Sequence, residues 1–196
     1  MPLSRLEAFS DGVFAIAITL LILTVTPPKH GPLGHELLRL WPSYIAYAVS
    51  FTIIGIIWVN HHTIFRHFVG ADRTLLFLNV FFLMAVAFLP FPTEVVANNV
   101  RDPSARRAAA LLYGCSMILV AAGFLALWFY GSRRLLREDS DRREVAGITR
   151  SFIPGLPIYV AGTLLAFASP IASLIVFAGL ACFYVLSSSL FARESA

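Results

Sequence analysis

Long apolar runs broken by prolines or short charged stretches set the pattern of this chain. About 20 consecutive apolar residues suffice to cross the hydrocarbon core of a bilayer. The pattern predicts six such helices, at about residues 5–26, 41–60, 74–89, 108–130, 152–168 and 171–192. Pro27-Pro28 stops the first, because proline cannot continue a helix. A polar tail with His61, His62 and Arg66 follows the second. Pro90 and Pro92 close the third, and Ser169-Pro170 makes a tight turn between the fifth and sixth. No segment alternates with the period of two that a strand requires. The expected fold is all-α: one polytopic membrane domain over residues 1–196, with no internal repeat and no soluble domain.

Composition agrees. The chain has 196 residues, of which 58% are hydrophobic and 13% charged. A water-soluble fold of this size cannot hide that much apolar surface. Cys115 and Cys182 lie in apolar runs without metal-ligand spacing and read as small core residues, not as a disulfide. The first segment is read as a retained helix, since Asp11 interrupts its start and no small-residue cleavage site precedes Pro27.

The basic residues set the orientation. With the N-terminus inside, ten Lys and Arg fall on the inner side and five on the outer side. The positive-inside rule then puts both termini in the cytoplasm. The segment Gly131–Arg150 mixes signs and reads as a solvated helix and loop laced with i,i+4 pairs, with contact to anionic lipid as the other reading. Because the basic residues sit between spans, nucleic acid is not an expected partner.

Helix 1 carries the most information. Ile16, Thr19, Leu20 and Leu23 follow the i, i+3, i+4, i+7 rule and share one face. Phe14, Ile18, Leu21 and Val25 form the other side. An apolar stripe of this kind also serves ordinary packing. Ser10 and Asp11 have the look of an N-cap and a dipole partner, with Phe9 and Phe14 at hydrophobic-staple spacing. Arg5 and Asp11 are six residues apart, so they do not face each other on one helix and call for partners on other helices.

Helix 2 brings Trp58, Asn60, His61 and His62 to the same depth as Arg5 and Asp11. A network of Asp11, Arg5 and one of the two histidines is therefore expected. A structural metal site is not, because adjacent histidines point about 100° apart and no HxxxH companion is present. Asn79 stands inside the third apolar run and reads as a hydrogen-bonding tie between helices. No nucleophile constellation, phosphate loop or dinucleotide fingerprint occurs, so no enzyme is expected. No TVGYG-type carbonyl filter occurs either.

The string from Arg5 to Leu23, with Arg5, Phe9, Ser10 and Asp11 in an Arg-x-x-x-Phe-Ser-Asp signature, resembles the opening helix of prokaryotic homologues of transmembrane protein 175, the lysosomal potassium channel family. The Trp-x-Asn-His-His run from Trp58 to His62 resembles that family's second helix. The resemblance implies a homotetramer that conducts potassium through a central pore lined by helix 1, without a carbonyl filter. It places the narrow hydrophobic ring on Ile16, the pore-facing threonine on Thr19, and further apolar rings on Leu20 and Leu23. It sets Arg5 and Asp11 among the residues tying helices together near the cytoplasmic mouth, with Phe9, Ser10, Trp58, Asn60, His61 and His62 around them.

The expected function is passive conduction of potassium, and of other monovalent cations to a lesser degree. An apolar constriction at Ile16, Leu20 and Leu23 would close by dewetting, and potassium would pause near Ile16 and Thr19. No cofactor is expected; the remaining partners are membrane lipid and three further copies of the chain. A proton-coupled secondary transporter using Asp11 and the histidines, and a non-conducting membrane scaffold, are the rival readings.

Overall fold

The computed structural model describes residues 3–194, with side chains to Tyr184. Nine α-helices make up the described residues: α1 Leu3–Leu20, α2 Leu33–Arg39, α3 Trp41–Phe65, α4 Arg73–Phe88, α5 Pro90–Asn99, α6 Arg106–Arg134, α7 Arg142–Phe152, α8 Gly155–Ala168 and α9 Pro170–Glu194. A 3-10 turn, Leu21–Thr24, tightens the end of α1. Among the described residues no strand forms; Phe68 and Leu136 make an isolated antiparallel bridge. Five helical stretches are long and apolar enough to cross a membrane: Leu3–Thr24, Trp41–Phe65, Arg73–Asn99, Arg106–Arg134 and Arg142–Ala168. The described apolar part of α9, Pro170–Tyr184, is shorter. The expected end of the sixth span near residue 192, and the side chain of Arg193, lie outside the described side chains.

Helix α6 runs through the middle of the bundle and packs against α4, α5, α8 and α9, while α1 lies against α3 and α4. Small residues let these helices approach closely, as membrane interfaces require in the absence of a solvent-driven hydrophobic force. A Cβ at Gly114 would stand 2.3 Å from the Thr163 hydroxyl oxygen, and one at Gly131 would stand 2.1 Å from the Phe68 ring. Phe68 fills the space that Gly131 leaves and stacks on Trp128, with ring centroids 6.2 Å apart.

The turn holding Phe68 is clasped to the turn after α6. Val69 N–H donates to Leu135 O at 2.9 Å and Arg137 N–H donates to His67 O at 2.9 Å. Asp72 caps α4 by accepting from Leu75 N–H at 2.8 Å, and it also accepts from the Tyr130 hydroxyl. The Leu75 N–H, seconded by Tyr130, holds its carboxyl below the usual range. Helix α7 closes the same end. Asp141 caps it, Val145, Ile148 and Phe152 pack on the core, and Trp128 Nε1–H donates to Thr149 Oγ1 at 2.9 Å.

Several expectations need correction. Pro90 and Pro92 do not end the third span: only Leu89 separates α4 from α5, and the apolar stretch runs on to Asn99. Both prolines sit in the first turn of α5, where backbone N–H groups have no intrahelical acceptor, so their missing donors cost little. The second span runs to Phe65, which puts His61 and His62 inside a helix rather than in a tail. The Gly131–Arg150 segment carries no i,i+4 ion pair among the described residues. The helix-and-loop layout itself holds: α6 ends at Arg134, Arg137 pairs with Asp139 across the connecting turn at 3.1 Å, and Asp141 caps α7. Cys115 and Cys182 are free thiols and both are exposed, not core residues. On a surface bathed by lipid a weakly polar thiol sits outside at little cost.

Replacing Gly131 with Ala forces a methyl into the Phe68 ring. Overpacking of this kind costs about 1–3 kcal/mol, so the thermal midpoint of the purified protein in detergent falls. Gly147 in α7 has open space around it. There Gly147→Ala raises helix stability by about 0.5–1 kcal/mol, and the same melt shows the opposite sign.

Candidate functional site

The residues of α1 divide into two sectors. Leu6, Ser10, Phe14, Ala17, Leu21 and Thr24 are buried, spaced by three or four along the helix. Arg5, Phe9, Gly12, Ile16, Thr19, Leu20 and Leu23 are exposed, and Ser4, Ala8, Asp11, Ala15 and Ile22 are exposed on their flank. At about 100° per residue Arg5, Phe9, Gly12, Ile16, Thr19, Leu20 and Leu23 share one sector, which the other described residues leave largely open. The exposure is large where the side chains are apolar: 60% at Ile16, 43% at Leu20 and 69% at Leu23. Gly12 adds an open notch, since a Cβ there would meet nothing within 4 Å. The 3-10 turn that follows Leu20 also matters. In 3-10 geometry residues three apart eclipse one another, so Leu20 and Leu23 come nearly into line along the helix.

The Thr19 hydroxyl donates to Ile16 O at 2.9 Å. Its only proton is therefore engaged, and what it presents outward is oxygen lone pairs. Thr24 makes the equivalent bond to Leu21 O at 2.7 Å, but on the buried side.

What fixes the rotation of α1 is a chain of buried polar groups. His61 Nε2–H donates to Asn79 Oδ1 at 2.9 Å, Asn79 Nδ2–H donates to Ser10 Oγ at 2.9 Å, and the Ser10 hydroxyl donates to Leu6 O at 2.9 Å. The direction follows from Asn79 Oδ1, which can only accept, so the proton of His61 is on Nε2. All three residues are essentially removed from solvent. His61 is also held by rings: it stacks on Phe65 at 4.2 Å and on Phe82 at 5.7 Å, with Phe14 edge-on at 5.4 Å. The chain thereby joins α1, α3 and α4 through Ser10, His61 and Asn79.

A second contact stands beside it on the surface. Trp58 Nε1–H donates to Asp11 Oδ1 at 2.8 Å, and Trp58 stacks on His62 at 6.4 Å. Asp11 and Trp58 are exposed, as is His62.

The residues expected to form one network therefore fall in different places. The acid does not meet a histidine: its partner is Trp58, and no ion pair joins Arg5 to Asp11 among the described residues. His61, not His62, is the buried histidine, and its partner is Asn79. Ser10 is not a cap, because α1 starts at Leu3 and places it two turns inside. Phe9 is 54% exposed while Phe14 is buried, so the two do not staple. Asn60 faces away from α1 into a small cavity of about 80 Å³ shared with Met117 and Tyr159. Among the described residues no three His, Cys, Asp or Glu side chains converge as metal ligands would.

The fold and the site define a multi-span α-helical membrane protein whose first helix is braced on one side and free on the other. Comparison with known proteins narrows this class. Residues 5–90 match the model of the family described as endosomal/lysosomal potassium channel TMEM175. A potassium channel of Chamaesiphon minutus is 41% identical over 192 residues, covering 94% of each chain. A potassium channel of Streptomyces collinus is 52% identical over 132 residues, which cover 66% of this chain but 64% of that protein. The mouse endosomal/lysosomal proton channel TMEM175 is 33% identical, and the matched part spans 36% of its length. Among solved structures, the lysosomal potassium-selective channel TMEM175 homologue from Chamaesiphon minutus superposes with a TM-score of 0.87 at 40% identity, covering 94% of this chain and 97% of that one. The chain belongs to the TMEM175 family of ion channels.

Asn79→Leu removes the middle of the buried chain and leaves the His61 donor unpaired in an apolar setting. The expected loss is about 1–3 kcal/mol, read as a lower thermal midpoint in detergent. An unchanged midpoint would mean that the chain does not brace α1.

Proposed function

We propose that this chain is a potassium-permeable cation channel subunit, and that four copies set the free sector of α1 around a central axis. The single observation that carries the reading is the uncovered row Phe9, Gly12, Ile16, Thr19, Leu20 and Leu23 on a helix whose other side is rigidly packed. Family membership gives the row its context, as do relatives named potassium channels at 41% and 52% identity.

In this reading the ring of Ile16 side chains is the narrowest point. Water wets an apolar ring poorly, so a small change in its radius switches conduction on or off. The aligned Leu20 and Leu23 side chains extend the apolar lining. Thr19, with its proton engaged on Ile16 O, offers only acceptor oxygen and suits a partly dehydrated cation passing the ring. No carbonyl filter and no cofactor take part; potassium is the permeant ion. The buried chain through Asn79 keeps the rows of four subunits in register, and Asp11 with Trp58 stands on the flank of the row, where a neighbouring subunit arrives. The 25 residues of α9 make the sixth crossing. The excess of arginine on one side then places both termini in the cytoplasm, with the tetramer in the cell membrane and lipid around it.

Potassium efflux from liposomes tests this directly. The purified wild type dissipates a potassium gradient without a proton requirement, and Ile16→Asn raises the flux several-fold by wetting the ring. Equal flux in both would remove Ile16 as the constriction. No flux from either, with a stable and correctly inserted oligomer, would favour a transporter or a scaffold. Asp11→Ala lowers the yield of tetramer on size exclusion; a normal yield would confine Asp11 to its bond with Trp58.

A further inference from the structure

The end of the bundle opposite Trp58 holds an apolar cavity of about 350 Å³ between α3, α5 and α9. The starts of α3 and α9 and the end of α5 ring it, through Trp41, Ile171 and Val100. Trp41, Ile45, Ile171 and Ile175 are exposed, so the cavity opens sideways on the surface of the bundle rather than into its core. An apolar void of this size stays dry and loses the dispersion contacts of its walls unless something fills it.

Its floor and its mouth differ in chemistry. At the floor Tyr113, Ser50 and Thr93 form a closed relay, with Ser50 Oγ 3.1 Å from the Tyr113 hydroxyl and 2.8 Å from Thr93 Oγ1. Thr93 donates to Leu89 O at 2.8 Å, so Ser50 donates to Thr93 and Tyr113 donates to Ser50. Each hydroxyl proton is engaged, and nothing at the floor calls for a polar ligand. The mouth is cationic. The Arg101 guanidinium lies 5.4 Å from the centre of the Trp41 ring, and Arg106 Nε–H donates to the backbone oxygen of Val100. The nearby acid, Asp102, is engaged by the backbone and hydroxyl of Ser104. Tryptophan and arginine at the start of a membrane helix are where headgroups lie.

Depth supports the match. From Trp41 to Ser50 is nine residues, about 13 Å of helix. One leaflet of hydrocarbon is about 15 Å.

We propose that this cavity is a binding site for a phospholipid, with one acyl chain between α3, α5 and α9 and its phosphate at Arg101. The site is independent of the α1 row and holds whether or not that row lines a pore.

Native mass spectrometry of the full-length protein in detergent, titrated with dioleoyl-phosphatidylglycerol, tests it. The wild type retains the lipid saturably. Ala46→Trp fills the cavity from one wall and abolishes the saturable part while the thermal midpoint and oligomer size are kept. Arg101→Gln, which leaves the cavity intact, weakens binding about fivefold, as expected for one cation beside a lipid phosphate. Equal retention by the wild type and Arg101→Gln overturns the assignment of the phosphate to Arg101. Equal retention by a folded Ala46→Trp overturns the site itself. Ready disulfide cross-linking between copies carrying Ile175→Cys would give the face to a second copy of the chain, and would also overturn it.

Discussion

A polar side chain in a lipid-embedded bundle has no water to fall back on, and this fold is organised around three that satisfy one another. His61, Asn79 and Ser10 pass hydrogen bonds in one direction and end on the backbone oxygen of Leu6. Each belongs to a different helix. Rotating α1 by one residue would carry Ser10 about 100° away from Asn79 and leave donors unpaired in an apolar medium, where each costs several kcal/mol. The rings of Phe14, Phe65 and Phe82 around His61 add shape to that chemical constraint. The azimuth of α1, and hence which residues it leaves uncovered, follows from this one chain.

The rest of the bundle supplies a stiff frame for it. Phe68 wedged against Gly131 and the backbone bonds from Val69 and Arg137 tie the end of α3 to the end of α6, and Asp72, which caps α4, ties the start of that helix to α6 through the Tyr130 hydroxyl. Helix α7 seals that end with an apolar face on the core and its charges outward. Because α4 is held there, Asn79 is held too, and the support for α1 reaches back through two helices.

Much of this was legible in the residues. Apolar run lengths placed the main helices, and the i, i+3, i+4, i+7 rule found the row Ile16, Thr19, Leu20 and Leu23, which the fold leaves uncovered. Asn79 stood out as a tie between helices, but its partners did not: they lie 69 and 18 residues away in sequence, and a single chain gives no pairing between distant positions. Ser10-Asp11 ahead of an apolar run imitates a helix start. The residues before it, Arg5, Leu6, Glu7 and Ala8, are all good helix formers and carry the helix back to Leu3. The prolines at 90 and 92 misled for a related reason. A proline that starts a helix and one that ends a helix look alike when the break between helices is a single residue.

The division of α1 into a braced sector and a bare one separates two kinds of selection. Substitutions at Leu6, Ser10, Phe14 or Ala17 are judged by whether the subunit folds at all. Those at Ile16, Thr19, Leu20 or Leu23 disturb the fold of a single subunit far less, because much of each side chain faces outward. Relatives that share one scaffold are thereby free to diverge along that row, where a few side chains can be exchanged without rebuilding the protein that carries them.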